Sequence, residues 1–114
     1  MSGEQTSADA QPTGGNLSTT FVSAEGGQER TIETGAGPTM LNVIATVKVQ
    51  QGELQLEVLA PNGGVVLSVQ GRPDEAVTKL GKAPTDSEGK LHYRIIARGA
   101  RNGSYEVFYQ PAEP

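Results

Sequence analysis

Few side chains in this sequence are of a kind that does chemistry. His92 is the only histidine, and cysteine is absent. An imidazole acts as a general base when a nucleophile lies beside it and a carboxylate orients it. His92 falls on the outward parity of an alternating segment, with no Asp or nucleophile at a spacing that suggests a triad. It is expected to be a solvent-facing strand residue. Asp86-Ser87-Glu88-Gly89 places two carboxylates in one loop. Calcium accepts such oxygens, but the fragment falls short of a ligand set and reads as a solvated turn. Gly35-x-Gly37 lacks the third glycine and the following helix of a dinucleotide loop. No Walker loop, nucleophile elbow or zinc-binding histidine pair occurs. The sequence therefore assigns no catalytic residue, metal ligand or cofactor, and the chain reads as a non-enzyme. Asn16-Leu17-Ser18 and Asn102-Gly103-Ser104 match the glycosylation sequon; Asn and Gly also suit a tight turn at the second place.

Binding chemistry is more promising. Ile44, Leu59, Val66, Ile96 and Phe108 are apolar yet fall on the outward parity of their segments. Several such residues together mark a docking surface. If Ile96 and Phe108 are neighbours across a terminal hairpin, then Arg94, Ile96, Arg98, Glu106 and Phe108 form one partner-binding patch. The competing expectation is that another segment, such as one containing Phe21 and Val22, covers them. Sugar recognition uses exposed aromatic faces. Tyr93, Tyr105 and Tyr109 take the inward parity, which leaves Phe108 as the aromatic candidate. On the sequence alone, a protein partner ranks ahead of a polysaccharide.

The elements that must position these residues read as strands. Leu41, Val43, Ala45, Val47 and Val49 alternate with polar residues, as do Leu54, Leu56 and Val58, then Val65, Leu67 and Val69. Period two marks a half-buried strand. Gln51-Gly52 is read as a two-residue hairpin loop that sets Val49 against Leu54, Val47 against Leu56 and Ala45 against Val58. Asn62-Gly63 is read as a type I′ turn that sets Val58 against Leu67 and Leu56 against Val69. Gly26-Gly27 is expected to turn a strand over Leu17–Ser23 into a second over Gln28–Thr34. Gly35-Ala36-Gly37-Pro38 is a connection. Glu75–Leu80 is a weak strand, followed by a polar loop over Gly81–Gly89. Lys90–Arg98 and Ser104–Gln110 close the chain as a hairpin whose odd-length loop carries a left-handed glycine. About eight short strands with frequent turns predict an all-β, antiparallel sandwich of jelly-roll type, with an immunoglobulin-like strand order as the alternative.

Composition fits this class. The 114 residues suffice for one domain, Gly and Pro are abundant, and Trp is absent. A net charge of −4 leaves no basic excess for phosphates, so nucleic acid is not an expected partner. No apolar run is long enough to span a bilayer. Residues 1–16 have little to bury and are expected to form a disordered tail, with the sandwich over 17–110 and a short tail over 111–114. A polar start of this kind follows the lipid-bearing Cys of bacterial lipoproteins. It is read either as a start from which a signal sequence and that Cys are missing, or as an ordinary flexible terminus; the upstream genomic sequence separates the two.

Gly52-Glu53-Leu54-Gln55-Leu56-Glu57-Val58, Ala60-Pro61-Asn62-Gly63 and Gly103-Ser104-Tyr105-Glu106-Val107 together resemble the bacterial pre-peptidase C-terminal domain. The resemblance spans Leu41 to Tyr109. It implies a small jelly-roll-like sandwich appended to secreted or surface proteins, acting in substrate or polymer association and not in catalysis. Glu53 and Gln55 stand where that family usually has two aspartates, so no polar or calcium role is carried over to them. The expected function is a non-enzymatic, extracytoplasmic bacterial accessory domain that acts through surface contacts with a protein or polysaccharide. A self-associating structural module of the cell envelope is the first alternative, and a small hydrolase with an unfamiliar site the second.

Overall fold

The computed structural model describes residues 2–11, 14–34 and 39–111. The connection Gly35-Ala36-Gly37-Pro38 and residues 112–114 of the expected C-terminal tail lie outside the described residues. Among these described residues seven strands follow in order: β1 (Gln5–Gln11), β2 (Gly14–Glu33), β3 (Met40–Lys48), β4 (Gln51–Leu59), β5 (Val65–Gly71), β6 (Val77–Pro84) and β7 (Lys90–Pro111). Every ladder between them is antiparallel.

The two longest strands organise the molecule. The first half of β2 pairs with the second half of β7, Gly15 opposite Tyr109 through Ser23 opposite Arg101. A bulge between Ala24 and Gly26 then shifts the register, and Gly26 to Glu33 pairs with Ala97 to Lys90. The ribbon thus turns a corner and serves two layers. One layer has the order β1-β2-β7-β3-β6. The other is built from β2, β7, β4 and β5. With the halves of β2 and β7 counted separately, eight segments besides β1 make up the roll, and each pairs with its mirror image in chain order: first with last, second with seventh, β3 with β6, β4 with β5. This is the jelly-roll order, so the expected class holds and the immunoglobulin-like order does not.

Alternation explains which faces meet. Leu41, Val43, Ala45 and Val47 of β3, Leu54, Leu56 and Val58 of β4, and Leu91, Tyr93, Ile95, Tyr105, Val107 and Tyr109 of β7 are all buried in one core. Apart from Leu59, which the parity put outward but which is buried at the end of β4, their outward neighbours are polar or partly exposed, which is the burial pattern of two sheets packed face to face. Glycine makes room where rings cross the ladder. A Cβ at Gly103 would come within 2.5 Å of the Phe21 ring that lies opposite it.

Several expectations are corrected. Gly26-Gly27 does not turn the chain; it sits just past the bulge within β2. Gly99 to Gly103 is not a hairpin loop either, for β7 runs straight through it. Gly99 (φ 57°) and Asn102 (φ 50°) bend the strand with left-handed backbone, and this moves burial from Ala97 to Ala100 and then to Gly103. The predicted pairing of β3 with β4 does not form: β3 pairs with β6 and β7, and β4 with β5 and β7. Val47 and Leu56 share the core without sharing a ladder. Leu56 does oppose Val69, and Val58 does oppose Leu67. The turn there is not type I′, because Asn62 keeps negative φ and Gly63 alone is left-handed (φ 89°). Gly63 N donates to Ala60 O at 2.9 Å, with a bulge beyond it, which is a type I turn with Pro61 at its favoured place. The polar loop expected from Gly81 begins later, since β6 continues to Pro84. Finally, the disordered tail expected over residues 1–16 gives way to β1, which pairs along β2 from Gln5–Thr20 to Gln11–Gly14. An open sheet edge satisfies the backbone of an extended chain whatever its side chains, a force that composition does not register.

Candidate functional site

The predicted patch is split between the two layers. Arg94, Ile96 and Arg98 lie on the first half of β7, opposite Glu57, Gln55 and Glu53 of β4. Glu106 and Phe108 lie on its second half, opposite Thr46 and Ile44 of β3. Ile96 and Phe108 are therefore not neighbours: Ile96 faces Gly27 and Gln55, and Phe108 faces Asn16 and Ile44. The adjacency assumed for them required a hairpin that the fold replaces with one bent strand. Neither is covered by Phe21 or Val22; both are partly exposed.

On the four-stranded layer the charges neutralise one another. The Arg94 guanidinium donates to Glu57 Oε1 through Nε at 2.8 Å and Nη2 at 2.6 Å, and Glu29 lies 3.7 Å from its Nη1. Gln55 donates to Ser68 Oγ at 3.0 Å. A hollow of about 310 Å³ beside them is lined by Glu53, Gln55, Gln70, Ile96 and Arg98. Its charged residues, Glu53 and Arg98, stand opposite each other in the ladder, and Ile96 is its one apolar side chain.

The five-stranded layer presents a different face. Pairing puts Leu80, Ile44, Phe108, Asn16 and Asp9 in one row across β6, β3, β7, β2 and β1. Paired residues share a side of the sheet, so this row lies on the outer surface, with partly exposed Phe108 on the central strand. Leu80 is 73% exposed. On one side runs the row Thr78, Thr46, Glu106, Ser18 and Ser7, in which the Thr46 and Thr78 hydroxyls lie 2.9 Å apart. On the other run Lys82, Asn42 and Gln110. A hollow of about 360 Å³ borders the stripe at Asn42, Ile44, Leu80 and Lys82. The sequence pointed to Phe108 and Ile44 by their parity, but not to Leu80, Asn16 or Thr46 as their companions.

His92 has a partner that spacing did not suggest. Its Nε2 lies 2.8 Å from Asp86 Oδ2. Asp86 Oδ1 accepts from the backbone N–H of Glu88 at 2.8 Å and of Lys90 at 2.9 Å. The Lys90 amide above all, and then His92, hold the Asp86 carboxyl down at about 2, below its ordinary 3.8. The carboxylate thereby ties the 86–89 turn to the start of β7, and its oxygens are already engaged. Among the described residues no cluster of three or more His, Asp or Glu side chains is placed to hold a metal ion. Tyr93, Tyr105 and Tyr109 point inward, as their parity required. The Tyr93 and Tyr105 hydroxyls lie 3.2 Å apart and Arg30 Nη1 donates to Tyr105 at 3.2 Å; burial, above all, pushes the Tyr93 phenol well above its usual value.

Neither a family model nor a curated protein matches the chain. Solved structures do. The fold is similar to the CBM22-1 xylan-binding domain from Paenibacillus barcinonensis Xyn10C, with a TM-score of 0.51 and 14% identity over 100% of this chain and 85% of that one. It is similar to the Podospora anserina GH26-CBM35 β-(1,4)-mannanase, with a TM-score of 0.56 and 15% identity. The match covers 99% of this chain but 26% of the mannanase, so the chain spans about a quarter of that protein. It is also similar to the Bacillus endospore appendage pili, with a TM-score of 0.55 and 8% identity over 99% of this chain and 96% of that one. At such identities the likeness shows the fold: an antiparallel β-sandwich of the kind found in carbohydrate-binding modules.

Proposed function

We propose that the protein is a non-enzymatic polysaccharide-binding module that works outside the cytoplasm and engages its ligand on the outer face of the five-stranded layer. The observation that carries this reading is the row Leu80–Ile44–Phe108, with hydroxyl and carboxylate side chains on one side of it and amides and the Lys82 ammonium on the other. A pyranose ring has the same two-fold character, with apolar C–H faces and a polar rim. An aromatic ring flanked by short polar groups suits both. The fold shared with a xylan-binding domain supports the reading, as does the resemblance to the pre-peptidase C-terminal domain, which remains our family hypothesis. The polysaccharide is preferred here to the protein partner that ranked first on sequence, because Phe108 lies in line with Ile44 and Leu80 between rows of mainly short polar side chains and away from Arg94 and Arg98 of the other layer.

Affinity electrophoresis and calorimetry against soluble xylan, mannan and β-glucan test the reading. At least one should be retained, and Phe108→Ala should weaken that binding roughly tenfold, the worth of about one lost stacking face. Retention of none of the three, or equal retention by the variant, would overturn the proposal.

A further inference from the structure

The strand at the rim of the five-stranded layer is held differently from all the others. Every side chain from Ser2 to Asp9 is exposed, and none of them belongs to the core. The interior beneath is closed by β2 itself, where Leu17, Thr19 and Phe21 are buried. Among the described residues two side-chain ties hold β1 and the residue before it in place. The Thr6 hydroxyl lies 2.9 Å from that of Thr19, and Arg30 Nη2 donates to Glu4 at 2.5 Å. The rest is backbone ladder. Elements with few buried apolar contacts open at low free energy, and the β2 edge then bares a row of unpaired N–H and C=O groups that accept any extended strand.

We infer that β1 is an exchangeable strand, and that the β2 edge takes the same segment from a second copy of this chain. The copy is the fitting occupant because it alone brings the spacing of the two ties. A docked Thr6 meets Thr19 and a docked Glu4 meets Arg30 whether the segment arrives from the same chain or another. Exchange therefore loses no contact, and mass action sets the extent of dimer formation.

The absence of cysteine gives a clean test. A full-length chain carrying Ser18→Cys is oxidised with a synthetic peptide of residues 2–11 carrying Ser7→Cys, the residue opposite Ser18. A control peptide carries Thr6→Cys instead, which pairing sends to the other face. The single-chain double variant S7C/S18C, closing its bond internally, establishes that the pair is within reach. A disulfide-linked adduct should form at least tenfold faster with the first peptide than with the control. Glu4→Gln in the chain, which loosens the resident strand, should speed capture several-fold. Light scattering of the unmodified chain should show dimer rising with concentration. Equal rates for the two peptides, no adduct at all, or dimers without capture at position 18 (edge-to-edge pairing outside β1) would each overturn the inference.

Discussion

Two tyrosines of the core differ in what their hydroxyls touch. Tyr93 OH shares a hydrogen bond with Tyr105 OH, which Arg30 also reaches. The buried Tyr109 OH has no hydrogen-bond partner among the described residues. A hydroxyl buried without a partner costs the desolvation of a polar group, whereas removing one member of a bonded pair strands the other. Tyr109→Phe should therefore leave stability unchanged or raise it by up to about 1 kcal/mol, and Tyr93→Phe should lower it by about 1–2 kcal/mol. Urea denaturation of both variants checks the contrast; a loss at Tyr109 as large as at Tyr93 would contradict it. The inward parity of both was readable in the sequence. Which hydroxyl found a partner was not, because Arg30 reaches Tyr105 from 75 positions away.

At the scale of the element, the turn before β7 is an electrostatic device. The Asp86 carboxyl, ordinarily at 3.8, is lowered to about 2 by the Lys90 amide first and His92 second. A carboxyl whose folded value is depressed stabilises the fold above its unfolded value and loses that contribution as pH falls through the folded one. Its contribution is thus complete above about pH 4 and gone once the pH falls below about 2. Asp86→Asn keeps the shape and removes the charge. The variant should melt below the parent at pH 6, and the gap should narrow steadily between pH 4 and pH 2. A gap that stays constant over that window would show that the charge plays no part. The sequence placed Asp86 in a turn of its own accord, but the tie to His92 depends on the strand that follows lying back along it.

At the scale of the whole molecule, β2 and β7 run through both layers, so neither layer can unfold without taking two strands from the other. This predicts one cooperative transition. The corner at Gly99 tests it. No atom lies within 4 Å of a Cβ placed there, so Gly99→Ala, which adds only that atom, introduces no clash. Its cost is the left-handed backbone, φ 57°, about 1–2 kcal/mol for a side chain with a Cβ. Amide exchange should then quicken by the same factor in β3 and in β4, although these strands lie in opposite layers and share no ladder. Faster exchange confined to one layer would refute the shared-ribbon account.

What the sequence determined by itself was sidedness. Period two says which side chains leave water, and Val47, Leu56, Ile95 and the three tyrosines are all buried as it required. It also determined one register, that of β4 with β5, because theirs is a hairpin joined by five residues and closed by the turn at Pro61-Asn62-Gly63. Partnership was decided only by the tertiary structure. An alternating segment buries the same face whether the chain turns back at a glycine or runs on through it, so Gly26-Gly27 and Gly99–Gly103 read as turns when they are corners. In a rolled ribbon most strands pair with segments far away in sequence, and those ladders are chosen by how two sheets close over one core. That closure also carried Phe108 away from Ile96 and set it in line with Ile44 and Leu80.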